Sequence, residues 1–544
     1  MVDQEKKIAQ ISKRAIESLH IAMLHLFNRG YYKPMGISGV SLREPLLELQ
    51  PEIYGSIANP KKFELQGLLY VLDRLPEGIE YCSLINLTSV QKLDEARFQK
   101  IIPLKRRRSC YRIDEDQMNI EITRGKSDIY DVLTHLTFMY LESHKLLGRI
   151  FVGDQKHISH EWAKFHEIML DTSQIDDQTR DVVFAYLSSL LNRTFEEVRE
   201  VYFKLHTSKL PHRFFEIMYG LGSLAIKEKR NQKFRLIRFS EGLKDQVGKH
   251  TYGTIWAKQV KKVMLDQHML KRPLHIISAN MHSVMNVLYA KKALKEKGLT
   301  YDLYKTLSLK ESAQERNLVK EYALNNGMTF IKDRSGANID VQLIDGRFMS
   351  PKNDAVILVM DYAFGEQAFE TMDELLKPYQ HQKMQVSSIS IMGKAGTLCG
   401  QKGDIMIPNA HIAEGTADNY FFENKLIPSL FKDLSLNVYQ GNMITVLGTS
   451  LQNKYILNYF KSTTWKAIGL EMEGAHYQKA IQIASKIRGH ISTKVHLRYA
   501  YYASDNPLHS GSTLASGGLG TKGVTPTYAI TEEIINQILV SPSC

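Results

Sequence analysis

Near Arg272 the hydrophobic periodicity of this chain changes, and that change constrains the architecture more than any other feature. Upstream, apolar residues recur at helical spacing; downstream, short β-rich runs alternate with helical ones. Within Ile11 to Tyr32, Ile16, Leu19, Met23, Leu26 and Phe27 form one stripe, the pattern of a helix with a single face on a core. The stretch SDIYDVLTHLTFMYLESHKLL predicts a second helix. Ser127 suits its N-cap, Asp128 suits the positive end of its dipole, and Ile129, Val132, Leu133, Leu136 and Tyr140 line one side. Further helical patterns lie in TRDVVFAYLSSLLNRTFEEVREVYFKL and HRFFEIMYGLGSLAIKEKR, and PLKRRRSCYRIDED reads as a surface loop between helices.

Beyond Arg272, the runs LHIISA, LTYDLY, AVILVM, VSSISIMG, GDIMIP, NMITVLGT and VHLRYAYYAS read as strands. Helices are expected from about Ser283 to Lys297, over EQAFETMDELLKPY and around LEMEGAHYQKAIQIA. Such alternation predicts an α/β domain with a mixed or largely parallel central sheet and flanking helices. The expected organisation is a mostly α-helical region over 1–250, a basic linker over 251–272 and the α/β domain over 273–544. The Gly/Ser-rich stretch from His509 to Gly523 reads as a mobile loop.

Composition narrows the class. With 43% hydrophobic and 24% charged residues, the 544-residue chain is neither collagen-like nor wholly disordered. MVDQEKKIAQ is charged where a signal peptide is apolar, and no apolar run approaches the ~18 to 20 residues of a spanning helix, so a cytoplasmic protein off the membrane is expected. Cys82, Cys110, Cys399 and Cys544 show no metal or disulfide spacing. The net charge of +12 is concentrated in residues 201–300, which hold 20 Lys and Arg against 6 Asp and Glu. A solvated face at a domain boundary is the leading reading of that window, and nucleic acid the minor one, because no base-reading motif accompanies it. His135, Glu142, His144, His157, His160 and His166 lack the spacing of a metal site, and no metal or cofactor is expected.

Three motifs follow in order: MGKAGTLCGQKGDIMIP from Met392, GLEMEGAHYQKAI from Gly469 and YYASDNPLHSG from Tyr501. Together they resemble the nucleoside phosphorylase and nucleosidase superfamily over about Pro273 to Val540. SDNPLHSG is most similar to the corresponding loop of AMP nucleosidase. The resemblance implies cleavage of an N-ribosidic bond, in an assembly of several copies of the chain.

That reaction builds positive character on the sugar and negative charge on the departing base, so it needs a proton donor at the base and anchors for the sugar hydroxyls. By the resemblance, Asp505 is the catalytic acid facing purine N7, Glu473 accepts from the ribose hydroxyls, and Met472 packs on the sugar. Glu471 supports them. Gly393 and Gly396 match a strand-end turn that brings backbone amides to sugar or phosphate. Lys394 replaces the small hydroxyl residue of phosphorylases; it reads either as a grip on a substrate phosphate or as a solvated loop lysine. The first strand-loop, IISANMHSVMN, lacks both the phosphorylase arginine and the nucleosidase glutamates, and offers Asn280, His282 and Ser283, either to phosphate or water or as a plain polar turn. Asp361 follows a buried strand at a ligand-binding type of position. The expected activity is hydrolysis of a purine nucleotide, AMP-like, to free base and ribose 5-phosphate. Phosphate-dependent phosphorolysis of a purine nucleoside and a non-catalytic nucleotide sensor or RNA-associated protein are the alternatives.

Overall fold

The structure is a computed structural model that describes residues 2–90, 97–153, 157–295, 300–432, 434–509 and 520–540. Most of the Gly/Ser-rich stretch (510–519), and Cys544, lie outside the described residues.

The downstream alternation forms a ten-stranded mixed sheet. The parallel strands Pro273–Ser278 and Val356–Met360 sit side by side at its centre. All five residues of VILVM are buried, alternating between two cores: Val356, Leu358 and Met360 face one, Ile357 and Val359 the other. An unbroken apolar run is what a strand covered on both faces requires. Helices Met281–Leu294, Ala313–Asn325 and Val524–Val540 contribute to one layer. Thr251–Asp266, Gln367–Leu376 and Gly474–Gln482 contribute to the other. Beyond the centre, the long strand Gln385–Thr397 pairs with Ala467–Glu471 on one side, and His496–Asp505 bridges it to Ile405–Ala413, closing a circuit of strands.

Two downstream expectations need correction. LTYDLY is not a strand: from Thr300 its described residues belong to a helix, Thr300–Ser308, whose buried Tyr304 stacks on Tyr528 with ring centroids 3.8 Å apart; Tyr304 and Leu307 fit helical spacing better than alternation. The basic linker is a core helix. Trp256 is fully buried and its Nε1 donates to Ile339 O at 2.9 Å, while Lys261 Nζ donates to Glu374 O and Lys377 O at 2.6 and 2.7 Å, satisfying carbonyls where the helix Gln367–Leu376 ends.

The upstream region is less helical than its periodicity predicts. It contains a six-stranded sheet in which Leu84–Thr88 runs parallel to both Leu236–Phe239 and Gln117–Glu121. Its strands are two to five residues long, too short to register against the helical pattern around them. The helix Gly125–Ile150 has twenty of its 26 residues buried, so it is enclosed rather than one-sided. Ser127 is not its cap: the helix starts at Gly125, with Arg124 preceding it, and Ser127 Oγ instead accepts from Glu366 N at 3.0 Å. One apolar core, beginning at Ala15, includes Leu133 and Leu136 of this helix and also Leu398, Ile412, Ile444 and Leu470 of the larger sheet. Among the described residues no helix is long and apolar enough to cross a membrane.

Candidate active site

Pro273–Ser278, Val356–Met360, Gln385–Thr397 and His496–Asp505 run in the same direction, so their carboxyl ends meet at one edge of the sheet. Such an edge is where open α/β sheets place ligands. A cavity of about 460 Å³ opens there, and Met472, Glu473, Gly393, Lys394, Gly396 and Asp505 all line it. Asn280, His282 and Ser283 do not. Asn280 caps the helix Met281–Leu294 by accepting from His282 N at 2.9 Å, and Ser283 is buried, where its Oγ donates to Asn280 O and accepts from Thr531 Oγ1. Their polarity is that of a helix start. Asp361 also lies off the cavity, accepting from Tyr362 N at 2.9 Å and facing exposed Arg107 at 3.5 Å.

MGKAG is not a turn but the end of the strand Gln385–Thr397. The pairing with His496–Asp505 shifts register between Ala395 and Gly396, which sets Asp505 opposite Gly396. A bulge of this kind redirects a side chain. Asp505 is 6% exposed; Ser504 Oγ donates to its Oδ1, and its Oδ2 has no partner among the described residues. Burial pushes this carboxyl up to about 6, against the pull of Lys394 and Lys402.

Glu471 ends the strand Ala467–Glu471, and Glu473 immediately precedes the helix Gly474–Gln482. Glu471 is satisfied locally: Oε2 accepts from Glu473 N at 2.5 Å and from Gly474 N, and Oε1 from Thr445 Oγ1. It fastens the backbone at the helix start, the supporting place expected for it. Glu473 Oε1 accepts from Gly365 N at 2.9 Å, and burial raises its carboxyl to about 7. Burial, with the nearby Glu473, raises Glu471 to about 8. Three carboxyl groups, all pushed toward neutrality, therefore share one cavity.

The opposite wall is built by the upstream region, which sequence reasoning missed. Tyr70, Arg74, Lys105, Arg106 and Arg124 reach the cavity, and Phe364 joins them from the loop after Val356–Met360. KRRR is not a plain surface loop, because Arg106 and Arg108 are drawn inward. Arg108 donates to Asp128 Oδ1 at 2.7 Å and Asp131 Oδ2 at 2.6 Å; Arg106 grips both oxygens of Asp131 at 2.6 and 2.8 Å. Burial alone would raise Asp131, but Arg106 and His135 override it and hold this carboxyl well below its usual range. His135 in turn accepts or donates at Tyr54 Oη, 2.8 Å away, and approaches Asp131 at 3.2 Å. The available signal was the pair Asp128 and Asp131, two acids three residues apart among the apolar residues Ile129, Val132 and Leu133.

Among solved structures, the chain is similar to the Campylobacter jejuni 5′-methylthioadenosine/S-adenosyl homocysteine nucleosidase, at 11% identity and a TM-score of 0.32 over 49% of this chain and 98% of that one. It is similar to Helicobacter pylori futalosine hydrolase at 12% identity and a TM-score of 0.32, over 50% and 99%. Isoform 2 of Schistosoma mansoni uridine phosphorylase gives 13% identity and a TM-score of 0.33, over 53% and 89%. No curated protein matches the chain in sequence. A family of unknown function, DUF6909, matches residues 41–317 and 296–540, which together include every residue lining the cavity, and the chain belongs to that family.

Proposed function

We propose that the cavity hydrolyses the N-ribosidic bond of a purine nucleotide of the AMP type, releasing the base and ribose 5-phosphate. The observation that carries this reading is Asp505: a buried carboxyl lining the cavity, held up at about 6, with one oxygen unpartnered among the described residues. A group in that state keeps its proton up to about pH 6, well above the usual carboxylate range, and has an oxygen with which to deliver it, the requirement for protonating a departing base. Glu473 in the same cavity has one oxygen fixed by Gly365 N, which orients the other for sugar hydroxyls. Met472 supplies a deformable apolar contact beside it.

Water is the nucleophile in this reading. Phosphorolysis is the second reading, favoured by the cationic side chains on the cavity wall, which suit a phosphate co-substrate. A non-catalytic nucleotide sensor would have no use for a raised, unpartnered carboxyl. The test is to incubate the whole chain with a panel of nucleosides and nucleotides, with and without phosphate, and follow free base by chromatography. Base released from AMP without phosphate supports hydrolysis; release only with phosphate transfers the assignment to phosphorolysis, and release from none removes the enzyme reading.

A further inference from the structure

The arginines of the cavity wall differ in one respect that bears on the ligand. Arg106 is neutralised by Asp131, an acid it shares with Arg108, which does not itself line the cavity. Arg74 and Arg124 are not neutralised: neither has a carboxylate within ion-pair distance among the described residues, and the Nε of each is buried without a hydrogen-bond acceptor. Arg74 is 4% exposed, lies over the Tyr70 ring at 3.4 Å and spends one Nη on Tyr70 O at 2.8 Å. Arg124 stands 5.7 Å from the centroid of Phe364, and Arg106 stands 5.8 Å from the same centroid. Two guanidinium groups therefore flank one aromatic ring at the cavity, with Arg74, Lys105 and Lys394 lining the same space.

Taking a guanidinium out of water is costly unless an anion accompanies it. Stacking on an aromatic face offsets part of that cost but engages none of the N–H donors. Asp131 is already committed to Arg106 and Arg108, and the cavity carboxyls Asp505, Glu471 and Glu473 are engaged elsewhere or pushed toward their neutral forms. The cavity thus carries an excess of fixed cationic donors on its upstream wall, and among the described residues no carboxylate lies within ion-pair distance of Arg74 or Arg124. Arginine forks of this kind match the oxygens of a phosphate monoester, which offers two negative charges and several acceptors.

We infer that Arg74 and Arg124, supported by Arg106, form a phosphate-monoester subsite through which the upstream half of the chain selects a nucleotide over the corresponding nucleoside. The inference rests on the proposed function for the position of base and sugar, but the subsite itself is read from the unpaired guanidinium groups. It corrects the expectation that His282 and Ser283 meet the phosphate, since neither reaches the cavity, and makes Lys394 an accessory charge.

Binding separates this inference from the reaction. Isothermal titration calorimetry on the full-length Asp505→Asn protein with AMP, adenosine and ribose 5-phosphate should show AMP binding at least about tenfold more tightly than adenosine, the worth of one charge-assisted contact. Arg124→Gln and Arg74→Gln, each added to that background, should each remove about tenfold or more of the AMP affinity while changing adenosine by less than about twofold, with Arg124→Lys retaining part of it. AMP and adenosine binding alike, or Arg124→Gln weakening both equally, overturns the inference. If a Gln variant does not fold, the comparison of AMP, adenosine and ribose 5-phosphate on the parent protein decides alone. Inorganic phosphate distinguishes the source of the anion: competition with AMP but not adenosine supports the monoester, whereas adenosine cleavage that requires phosphate, with its KM for phosphate raised by Arg124→Gln, overturns the monoester in favour of a free co-substrate. Absence of base release from the wild-type chain would remove the hydrolase reading while the binding preference for AMP stood.

Discussion

The amide of Gly365 donates to Glu473 Oε1 at 2.9 Å, and Gly365 holds that position with φ of +57°, pressed against Ser127 of the upstream helix. A Cβ at Gly365 would lie 2.2 Å from Ser127 Oγ, and Glu366 N donates to that same oxygen at 3.0 Å. The orientation of the Glu473 carboxyl is thus set by a loop packed against the helix Gly125–Ile150. Gly365→Ala must either move the loop or strain it. Base release should fall on the order of 10²-fold with the circular dichroism spectrum retained, as expected when a reacting geometry is displaced by about an ångström. Activity within a few-fold of wild type would show that Glu473 does not depend on this contact.

Asp505→Asn should lose most base release, about 10² to 10⁴-fold, while substrate binding remains measurable, because the lost proton is used mainly in the transition state. The check is single-turnover base release beside binding measured by calorimetry. A variant with near wild-type turnover removes Asp505 from the chemistry.

The pH profile should report both carboxyls. Asp505, at about 6, must be protonated to act as donor, and Glu473, at about 7, must be ionised to accept from hydroxyls. Their requirements oppose each other, so kcat/KM should peak between about pH 6 and 7, with limbs belonging to the pair. Asp505→Asn should lose the alkaline decline and Glu473→Gln the acid one. A profile flat from about pH 5 to 8 contradicts both assignments.

Glu473→Gln should impair ribosides more than 2′-deoxyribosides, because the missing interaction is partly absent from the latter already. The ratio of kcat/KM values for the two substrate types is the measurement. An equal loss on both would mean that Glu473 only shapes the backbone.

Away from the proposed chemistry, Glu414 is 1% exposed and its Oε1 has no partner among the described residues, although Leu447 N and Gln452 Nε2 donate to Oε2. Burial raises it to about 7, so between about pH 4.5 and 7 the folded chain holds a proton that the unfolded chain releases. Stability contributed by this group falls as pH rises through that window, and the deficit is complete above it. Glu414→Gln should therefore be more stable than wild type at pH about 8, by an amount on the order of 2 to 3 kcal/mol, and show little difference at pH about 4. Denaturant unfolding at the two pH values checks it; a variant less stable at the higher pH refutes the assignment.

The larger sheet was legible because VILVM and HIIS are strands covered on both faces, and such strands advertise themselves as continuous apolar runs. Asp505, Glu473, Met472, Gly393, Lys394 and Gly396 come together because short motifs at strand ends bring distant segments to one edge. The smaller sheet was not legible, since its strands are brief and its pairings join residues far apart: Ile85 lies beside Met118 and Ile237. The arginine wall escaped for another reason. A charged tetrad scores as surface by hydropathy, and only its acids, one helix away in sequence, reveal that Arg106 and Arg108 are neutralised inside.

The apolar core that includes both Leu136 and Leu470 makes the chain hard to trim. A fragment starting near residue 250, the stretch that carries the three motifs, would strip cover from Leu398, Ile412 and Ile444 and leave a greasy face prone to clumping. The upstream half is then less an accessory than a lid grown onto the sheet, and heating should melt both halves in one step. Limited proteolysis should likewise yield no smaller piece that stays folded.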